Sequence, residues 1–97
     1  MRWLWDTRKN DANKRKHLIS FETAALVFDD PLAASRRDPY PGEERWQTIG
    51  MVGRVVVLVV HTALEMDAET GEETGRIISA RKAMAHERRA YEEENDF

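Results

Sequence analysis

The stretch Arg54-Val55-Val56-Val57-Leu58-Val59-Val60-His61-Thr62 contains the densest run of β-branched residues in the chain. Such side chains favour strands, and their unbroken apolarity predicts a central strand that is covered on at least part of both faces. Gly53 comes directly before the stretch and suits a tight hairpin. Residues 44–52, on the other side of that glycine, alternate roughly in strand fashion. We therefore expect a β-hairpin at the centre of the fold.

The segment after this hairpin predicts one more strand and a helix. Residues 75–81 contain Ile77 and Ile78 and are expected to form the strand. The acidic link at residues 63–74 is expected to be an exposed hairpin loop. Residues 83–94 are charged, with larger side chains at helical spacing, and predict a final helix.

The segment before the hairpin predicts a short strand and two helices. Residues 1–5 are expected to form the strand, and Asp6 is a suitable N-cap for a polar helix over residues 7–17. Ser20 is a second N-cap, for a helix that ends before Pro31 because a proline forces the preceding residue out of the helical region. This second helix has apolar residues at core-facing spacing: Phe21, Ala24, Ala25 and Phe28.

The first helix differs from the second because its surface is almost entirely polar. One stripe at helical spacing consists of Asn10, Asn13 and His17. Cations cover much of the remaining surface: Arg8, Lys9, Lys14, Arg15 and Lys16. With a brief edge strand expected at residues 32–37, the predicted order is strand, helix, helix, weak strand, three strands and helix. This order predicts a single α+β domain over residues 1–97.

Composition narrows the class of protein further. The chain has no cysteine, which excludes a disulfide framework, a thiolate zinc site and a cysteine nucleophile, and fits a reducing cytosol. Residues 1–6 lack the apolar core of a signal peptide, and the apolar run at residues 55–60 is too short to cross a bilayer. We therefore expect a cytoplasmic protein that does not interact with membranes.

The charge of the chain is unevenly distributed. The net charge of −3 argues against a general nucleic-acid binder. Residues 1–62, however, carry ten Lys and Arg against eight Asp and Glu, whereas residues 63–97 carry five against ten. The acidic clusters can lie at the periphery of the fold and leave a local basic cleft.

Several chemistries are excluded by missing motifs. The three histidines are far apart with no metal-ligand spacing, and neither a phosphate-binding glycine loop nor a serine nucleophile elbow is present. The remaining Arg, Lys, His, Glu and Tyr side chains suffice for RNA cleavage without a cofactor, because the RNA 2′-hydroxyl is itself the nucleophile. Such a site needs a base, an acid and cations that stabilise the phosphorane.

Taken together, several segments resemble the BrnT family of bacterial toxins in their order and spacing. They are residues 13–22 (Asn-Lys-Arg-Lys-His-Leu-Ile-Ser-Phe-Glu), 27–32 (Val-Phe-Asp-Asp-Pro-Leu), 42–45 (Gly-Glu-Glu-Arg), 49–50 (Ile-Gly) and 76–83 (Arg-Ile-Ile-Ser-Ala-Arg-Lys-Ala). The acidic loop at residues 65–75 is longer than the family pattern suggests.

The resemblance implies a fold, an activity and a partner. The fold is RelE/ParE-like α+β, with a small antiparallel-dominated sheet, two N-terminal helices and a C-terminal helix. The activity is a ribonuclease that halts translation. The partner is a BrnA-type antitoxin with a ribbon-helix-helix DNA-binding fold, through which the toxin reaches operator DNA.

Arg81, Arg45 and His61 are the candidate catalytic residues. Arg81 ends the last strand within the most family-like motif and is expected to contact the phosphate, or alternatively to form an ion pair with an acid such as Glu87. Arg45 would belong to a polar stripe with Gln47, and strand alternation places the adjacent Glu44 on the opposite face, so at most one of the two is expected in the site. His61 closes the central strand, where an imidazole can act as an acid or base or can simply be packed.

A second group of residues is expected to contact RNA. It comprises Lys16, His17, Arg76, Glu44, Arg88 and Tyr91. Strand alternation places Arg76 on the face opposite Arg81 unless the strand twists or bulges. His17 can equally be a helix C-cap and Tyr91 a core residue. Trp3, Trp5 and Trp46 could stack on bases, but core packing is favoured for them.

Three functions are compatible with the sequence. The first is a metal-independent endoribonuclease toxin that an antitoxin neutralises. The second is a non-catalytic module that acts as a co-repressor with its antitoxin. The third, a standalone nucleic-acid-binding domain, is disfavoured by the negative net charge.

Overall fold

The computed structural model describes residues 1–93 and residue 97. Within this part of the chain it contains six strands and three α-helices, as follows: β1 (Arg2–Leu4), α1 (Thr7–His17), α2 (Phe21–Ala24), β2 (Ala34–Arg37), β3 (Arg45–Val52), β4 (Val55–Thr62), β5 (Glu65–Met66), β6 (Glu73–Lys82) and α3 (Ala85–Glu92). The predicted α+β class is confirmed, and the predicted elements occur in the expected order with β5 as one additional short strand. The last residue of the predicted C-terminal helix, Glu94, lies outside the described residues.

All the strands belong to one mixed sheet. The strand order is β1-β6-β4-β3-β2, and β5 pairs separately with β6. The pairing of β1 with β6 is parallel, whereas β2 with β3, β3 with β4, β4 with β6 and β5 with β6 pair antiparallel. The apolar stretch that forms β4 lies at the centre, as predicted.

The hairpin of β3 and β4 fixes the register of the sheet. Val52 pairs with Val55, so the turn consists of Gly53 and Arg54. Gly53 has a φ of 60°, a left-handed conformation that glycine adopts without a steric cost. The predicted tight hairpin at this glycine is therefore confirmed.

Helical segments cover the two faces of the sheet unequally. On one face, which we call the α1 face, α2 and a 3₁₀ turn at Ala25–Asp29 pack over the main core, and α1 lies beside β6, bonded through Asn13 to the backbone of Ala80. This core includes Phe21, Val27, Val59 and Ile77, each at most 1% exposed. Burying each of these side chains stabilises the fold by about 1.5 to 3 kcal/mol. On the other face, the α3 face, Tyr91 packs on a smaller cluster of Ile49, Val56 and Leu58.

Two elements differ from the prediction. The second helix is α-helical only to Ala24 and then tightens into the 3₁₀ turn, as commonly happens near the end of a helix. The predicted loop at residues 63–74 contains β5 and the first residues of β6, because the chain pairs Glu65 with Thr74 and Met66 with Glu73. The exposed loop is therefore shorter than its composition indicated.

The tryptophans of the N-terminal segment pack inside the protein. Trp3 stacks on Phe28 with ring centroids 4.0 Å apart, and Trp5 meets Phe21 edge to face at 6.3 Å. Both rings pack against the main core, as the favoured interpretation predicts. None of the helices in residues 1–93 is long and apolar enough to cross a membrane.

Candidate functional site

A bulge in β6 decides which side chains share the α3 face. Val60 pairs with Ser79, but the next residue of β4, His61, pairs with Ile77, so the register shifts at Ile78. An extra residue in one strand restarts the alternation of its side chains. The bulge that the sequence analysis left open therefore brings Arg76 and Arg81 onto the same face.

Cross-strand partners extend this face into rows of side chains. One row contains Arg81, Leu58, Ile49 and Ala34; the next contains Ser79, Val60, Gln47 and Arg36. Arg45 pairs with Thr62 in the last row, and the backbone N–H of Arg76 donates to Thr62 Oγ1 at 2.9 Å. Four arginines thus share the α3 face: Arg36, Arg45, Arg76 and Arg81. We call them the arginine cluster.

Glu87 holds one end of the arginine cluster. Arg81 donates to both of its carboxylate oxygens, at 2.7 and 3.0 Å, and Arg36 Nη2 lies 3.9 Å away. The N–H of Met84 also donates to Glu87, at 2.8 Å, so this carboxylate satisfies the start of α3 as well. The Glu87 side chain is only 2% exposed. The hydrogen bond from Arg81 outweighs burial and keeps the pKa of Glu87 below its ordinary value.

Glu43 holds the other end. Its Oε1 lies 3.0 Å from Arg45 Nε and 3.0 Å from Arg76 Nη2, so one carboxylate bridges two guanidinium groups. The hydrogen bond from Arg45 is the main cause of the lowered pKa of Glu43. The Arg45 guanidinium also lies 3.6 Å from the centre of the Tyr40 ring. Glu43 therefore stays ionised and sets the spacing of two arginines.

Gln47 links one member of the cluster, Arg36, to Asp38. Arg36 Nε donates to Gln47 Oε1 at 2.8 Å, and Gln47 Nε2 donates to Asp38 Oδ1 at 2.6 Å. The exposed fraction of the four arginine side chains lies between 21% and 47%. Guanidinium groups bind phosphate through paired N–H donors, so a partly open row of them is a suitable surface for a phosphodiester.

His61 lies on the α1 face, separated by the sheet from the arginine cluster. It is 7% exposed and contacts the rings of Trp3 and Phe28 edge to face. Nδ1 lies 2.8 Å from the carbonyl oxygen of Thr62, which can only accept, so Nδ1 donates; Nε2 then accepts from Thr48 Oγ1 at 2.6 Å. Burial lowers the pKa of His61. The structure thus separates this candidate catalytic residue from Arg45 and Arg81.

The candidate RNA contacts are distributed over several surfaces. Lys16 is exposed on α1 and His17 is half-buried at its last residue. Glu44 is exposed and lines a shallow depression together with Arg76. Arg88 lies 3.6 Å from Glu92 on the same helix.

Tyr91, one of the predicted RNA contacts, is bound to other groups of the protein through its hydroxyl and its ring. Its hydroxyl donates to Asp30, whose other carboxylate contacts include the N–H of Met51 at 2.7 Å and that of Leu32 at 2.8 Å. Burial, together with this hydrogen bond and the Asp30 charge, raises the pKa of Tyr91 to about 12. The same hydrogen bonds outweigh burial and lower the pKa of Asp30. Tyr91 therefore ties α3 to the loop before β2.

Sequence reasoning missed Glu43 and Arg36. Glu43 reaches an arginine 33 residues away, a contact that local spacing does not reveal. Arg36 could have been found from its place in the weak edge strand, opposite the polar stripe of β3. Across residues 1–93 and 97, no three side chains of the types His, Asp or Glu are grouped so that they could hold a metal ion.

Comparison with known proteins identifies one family. Residues 5–87 match the family described as "Ribonuclease toxin, BrnT, of type II toxin-antitoxin system". No curated protein matches the chain. Because the family match spans most of the sequence, the chain belongs to the BrnT family of ribonuclease toxins from type II toxin-antitoxin systems.

Proposed function

We propose that the chain is a metal-independent endoribonuclease that binds its RNA on the arginine cluster. The observation that carries the proposal is the convergence of Arg36, Arg45, Arg76 and Arg81 on one partly open face of the sheet. Membership of the family implies an RNA target and an antitoxin partner. The arginine cluster supplies the cationic surface that such a target needs.

In the proposed reaction the RNA 2′-oxygen attacks the adjacent phosphorus and displaces the 5′-oxygen of the next nucleotide. The 2′-hydroxyl loses its proton to a base, a 2′,3′-cyclic phosphate forms as the bond from phosphorus to the 5′-oxygen breaks, and the leaving oxygen takes a proton from water. Guanidinium groups stabilise the extra negative charge of the phosphorane, an effect worth about a hundredfold to a thousandfold for one well-placed donor. Arg45, Arg76 and Arg81 perform this role in our proposal.

Glu44 is the proposed proton acceptor. It lines the same depression as Arg76, and no cation within the described residues lies close enough to form an ion pair with it. Glu43, by contrast, is bound to Arg45 and Arg76 and acts as a positioning residue. His61 receives no step in this mechanism because the sheet lies between its ring and the arginine cluster.

The test is cleavage of RNA by purified protein that has been freed of its antitoxin. We expect cleavage in the presence of a chelator, products with a 2′,3′-cyclic phosphate, and no cleavage where the 2′-hydroxyl is replaced by hydrogen. Arg45→Gln or Arg76→Gln should slow cleavage by about a hundredfold or more. Arg54→Gln, in the turn at the far end of the hairpin, is the control and should leave the rate unchanged. Products ending in a 5′-phosphate, or a strict need for a divalent ion, would contradict the mechanism.

A second function remains supported by one observation: Arg81, Arg45 and Arg76 all have carboxylate partners already. A degenerate toxin that acts only as a co-repressor with its antitoxin could keep such neutralised arginines. Expression of the wild-type chain and of Arg45→Gln in cells separates the two functions. Intact cellular RNA and normal growth with both proteins, together with retained antitoxin binding, would favour the co-repressor.

The family match supports the remaining parts of the proposal. We propose a RelE-like arrangement of the helices around the sheet, inhibition of translation in the cytoplasm, and neutralisation by a BrnA-type antitoxin. In this system the antitoxin, with a ribbon-helix-helix fold, contacts operator DNA, and the toxin reaches DNA only through it. Size-exclusion chromatography of an operator fragment mixed with the co-expressed pair, or with the toxin alone, tests this arrangement.

A further inference from the structure

Helix α1 has the highest local density of positive charge in the chain. Within Thr7–His17 it carries five cations and one carboxylate, Asp11. The cations are Arg8, Lys9, Lys14, Arg15 and Lys16, and all of them are exposed. The protein as a whole has a net charge of −3, so this helix is a local exception to its electrostatic character.

The inward side of α1 is held by amides, which leaves the cations on the outer surface. Asn13 donates to the carbonyl of Ala80 at 2.8 Å and accepts from its N–H at 3.1 Å, so one side chain satisfies both backbone groups of a strand residue. Asn10 accepts from the N–H of Phe21 at 2.8 Å. The predicted stripe of Asn10 and Asn13 is therefore the docking side of the helix.

Four of the cations form one stripe on the side away from these amides. With about 100° of rotation per residue, Arg8, Lys9, Arg15 and Lys16 fall within an arc of roughly 120°, with the small side chain of Ala12 inside it. Two cations begin this stripe and two end it, separated by two helical turns or about 10 Å. Asp11 lies outside the arc. We call these four residues the α1 stripe.

The fold does not account for the α1 stripe. Within the described residues, none of its cations lies within 4.0 Å of a carboxylate, whereas every member of the arginine cluster does. Like charges that crowd one helix face repel one another and do not stabilise the helix. Unpaired, exposed guanidinium and ammonium groups in a row are the usual means by which proteins bind a phosphate backbone.

We propose that the α1 stripe binds the phosphodiester backbone of the RNA, as a contact separate from the arginine cluster. This inference rests on the proposed function. The helix is bonded to Ala80, the residue directly before Arg81, so α1 lies beside the strand that carries Arg76 and Arg81 and presents the stripe on its outer surface. The stripe contains no aromatic side chain that could stack on a base, and it therefore contributes affinity without sequence preference.

The test uses a fluorescent single-stranded RNA with 2′-O-methyl groups throughout, which keeps every phosphate but cannot be cleaved by 2′-hydroxyl attack. The test variant carries Arg8→Gln, Lys9→Gln, Arg15→Gln and Lys16→Gln. The matched control removes the same charge elsewhere through Arg2→Gln, Arg37→Gln, Arg54→Gln and Arg89→Gln. Glutamine retains high helix propensity, so α1 should remain folded, which circular dichroism checks.

We expect the test variant to bind this RNA at least tenfold more weakly than the control in 0.1 M salt. Each lost phosphate contact should reduce the slope of log K against log salt by about 0.7, so the full stripe should reduce it by roughly 3. With a cleavable RNA, the KM should rise while kcat at saturating RNA stays near the wild-type value. Binding of the uncleavable RNA is measurable even if the wild-type protein cleaves nothing, so failure of the proposed function is distinguishable.

Equal affinities and equal slopes for the two variants would overturn the proposal. So would a loss of antitoxin binding in the test variant while RNA binding stays at the control level, because the stripe would then be a site for an acidic protein segment.

Discussion

Replacement of Glu87 by glutamine tests whether the carboxylate beneath α3 is a main determinant of stability. Glu87→Gln keeps the shape of the side chain but removes its charge. In the variant only the amide oxygen can accept, so one of the two bonds from Arg81, of 2.7 and 3.0 Å, is lost, and the bonds that remain from Arg81 and Met84 end on a neutral acceptor. Breaking a fully buried pair costs about 3 to 5 kcal/mol. Because the Arg81 side chain is 32% exposed, water compensates part of this loss, and we expect about 2 to 3 kcal/mol.

The assay is thermal and urea unfolding, with Glu92→Gln as the matched control on the same helix. Glu92 pairs with Arg88 across 3.6 Å, with both side chains more than half exposed, and its loss should cost no more than about 0.5 kcal/mol. Glu87→Gln should lower Tm by roughly 10 to 20 °C. Combining it with Arg81→Gln should cost less than the sum of the two single changes, because each single variant leaves one charge without its partner and the double variant removes both charges. Equal effects of Glu87→Gln and Glu92→Gln would refute this reasoning.

The pH dependence provides an independent check of the same carboxylate. The pKa of Glu87 is lowered in the folded protein, chiefly by the hydrogen bond from Arg81. A group with a depressed folded pKa stabilises the protein above its unfolded pKa, and the stabilisation is lost as the pH falls through the folded value. The difference in unfolding free energy between wild type and Glu87→Gln should therefore be constant near neutrality and shrink below about pH 4.5.

Three further changes test other parts of the structure. Gly50→Ala places a Cβ 2.9 Å from Val27 Cγ1 and 3.0 Å from its carbonyl oxygen, and should destabilise the protein by about 1 to 3 kcal/mol in urea unfolding; an unchanged midpoint would contradict the packing. Tyr91→Phe removes the hydrogen bond to Asp30 and should cost about 1 to 2 kcal/mol, while the wild-type phenol should titrate near pH 12 by ultraviolet absorbance. The pKa of His61 is lowered by burial, so NMR should show its imidazole titrating below pH 6.5. The stabilisation from the neutral ring is present above pH 6.5 and is lost as the pH falls through the folded pKa. A normal or raised pKa would show that the ring is open to water.

The fold was predictable wherever local signals agreed. Three such signals determine the structure of only the few residues around them: the β-branched run of β4, the glycine of its hairpin and the proline after the second helix. The bulge at Ile78 was not predictable, because it depends on which residues of β4 and β6 meet across the sheet. The position of Arg76 was therefore left open from alternation alone.

The candidate site was predictable in its residue types but less so in its arrangement. The alternative that Arg81 pairs with Glu87 is what the structure shows, and the interval of six residues made that contact accessible to sequence reasoning. The bridging role of Glu43 depends on Arg76, which the topology brings near from a distant part of the chain. His61 lies on the α1 face because of its register with Trp46 across the sheet. Its place at the end of a strand suggested a catalytic role but did not reveal which face it occupies.

The two carboxylates of the arginine cluster should respond differently to an incoming phosphate. Glu43 is exposed, and an exposed ion pair contributes only about 0 to 1 kcal/mol, so a phosphate can replace this carboxylate at Arg45 and Arg76 at little cost. Glu87 is buried and also binds the start of α3, so its separation from Arg81 would disrupt the helix as well as the pair. Phosphate binding should therefore depend mainly on Arg45 and Arg76. Arg81 can contribute charge to the phosphorane only while it remains paired with Glu87, so its accessible edge must carry that contact.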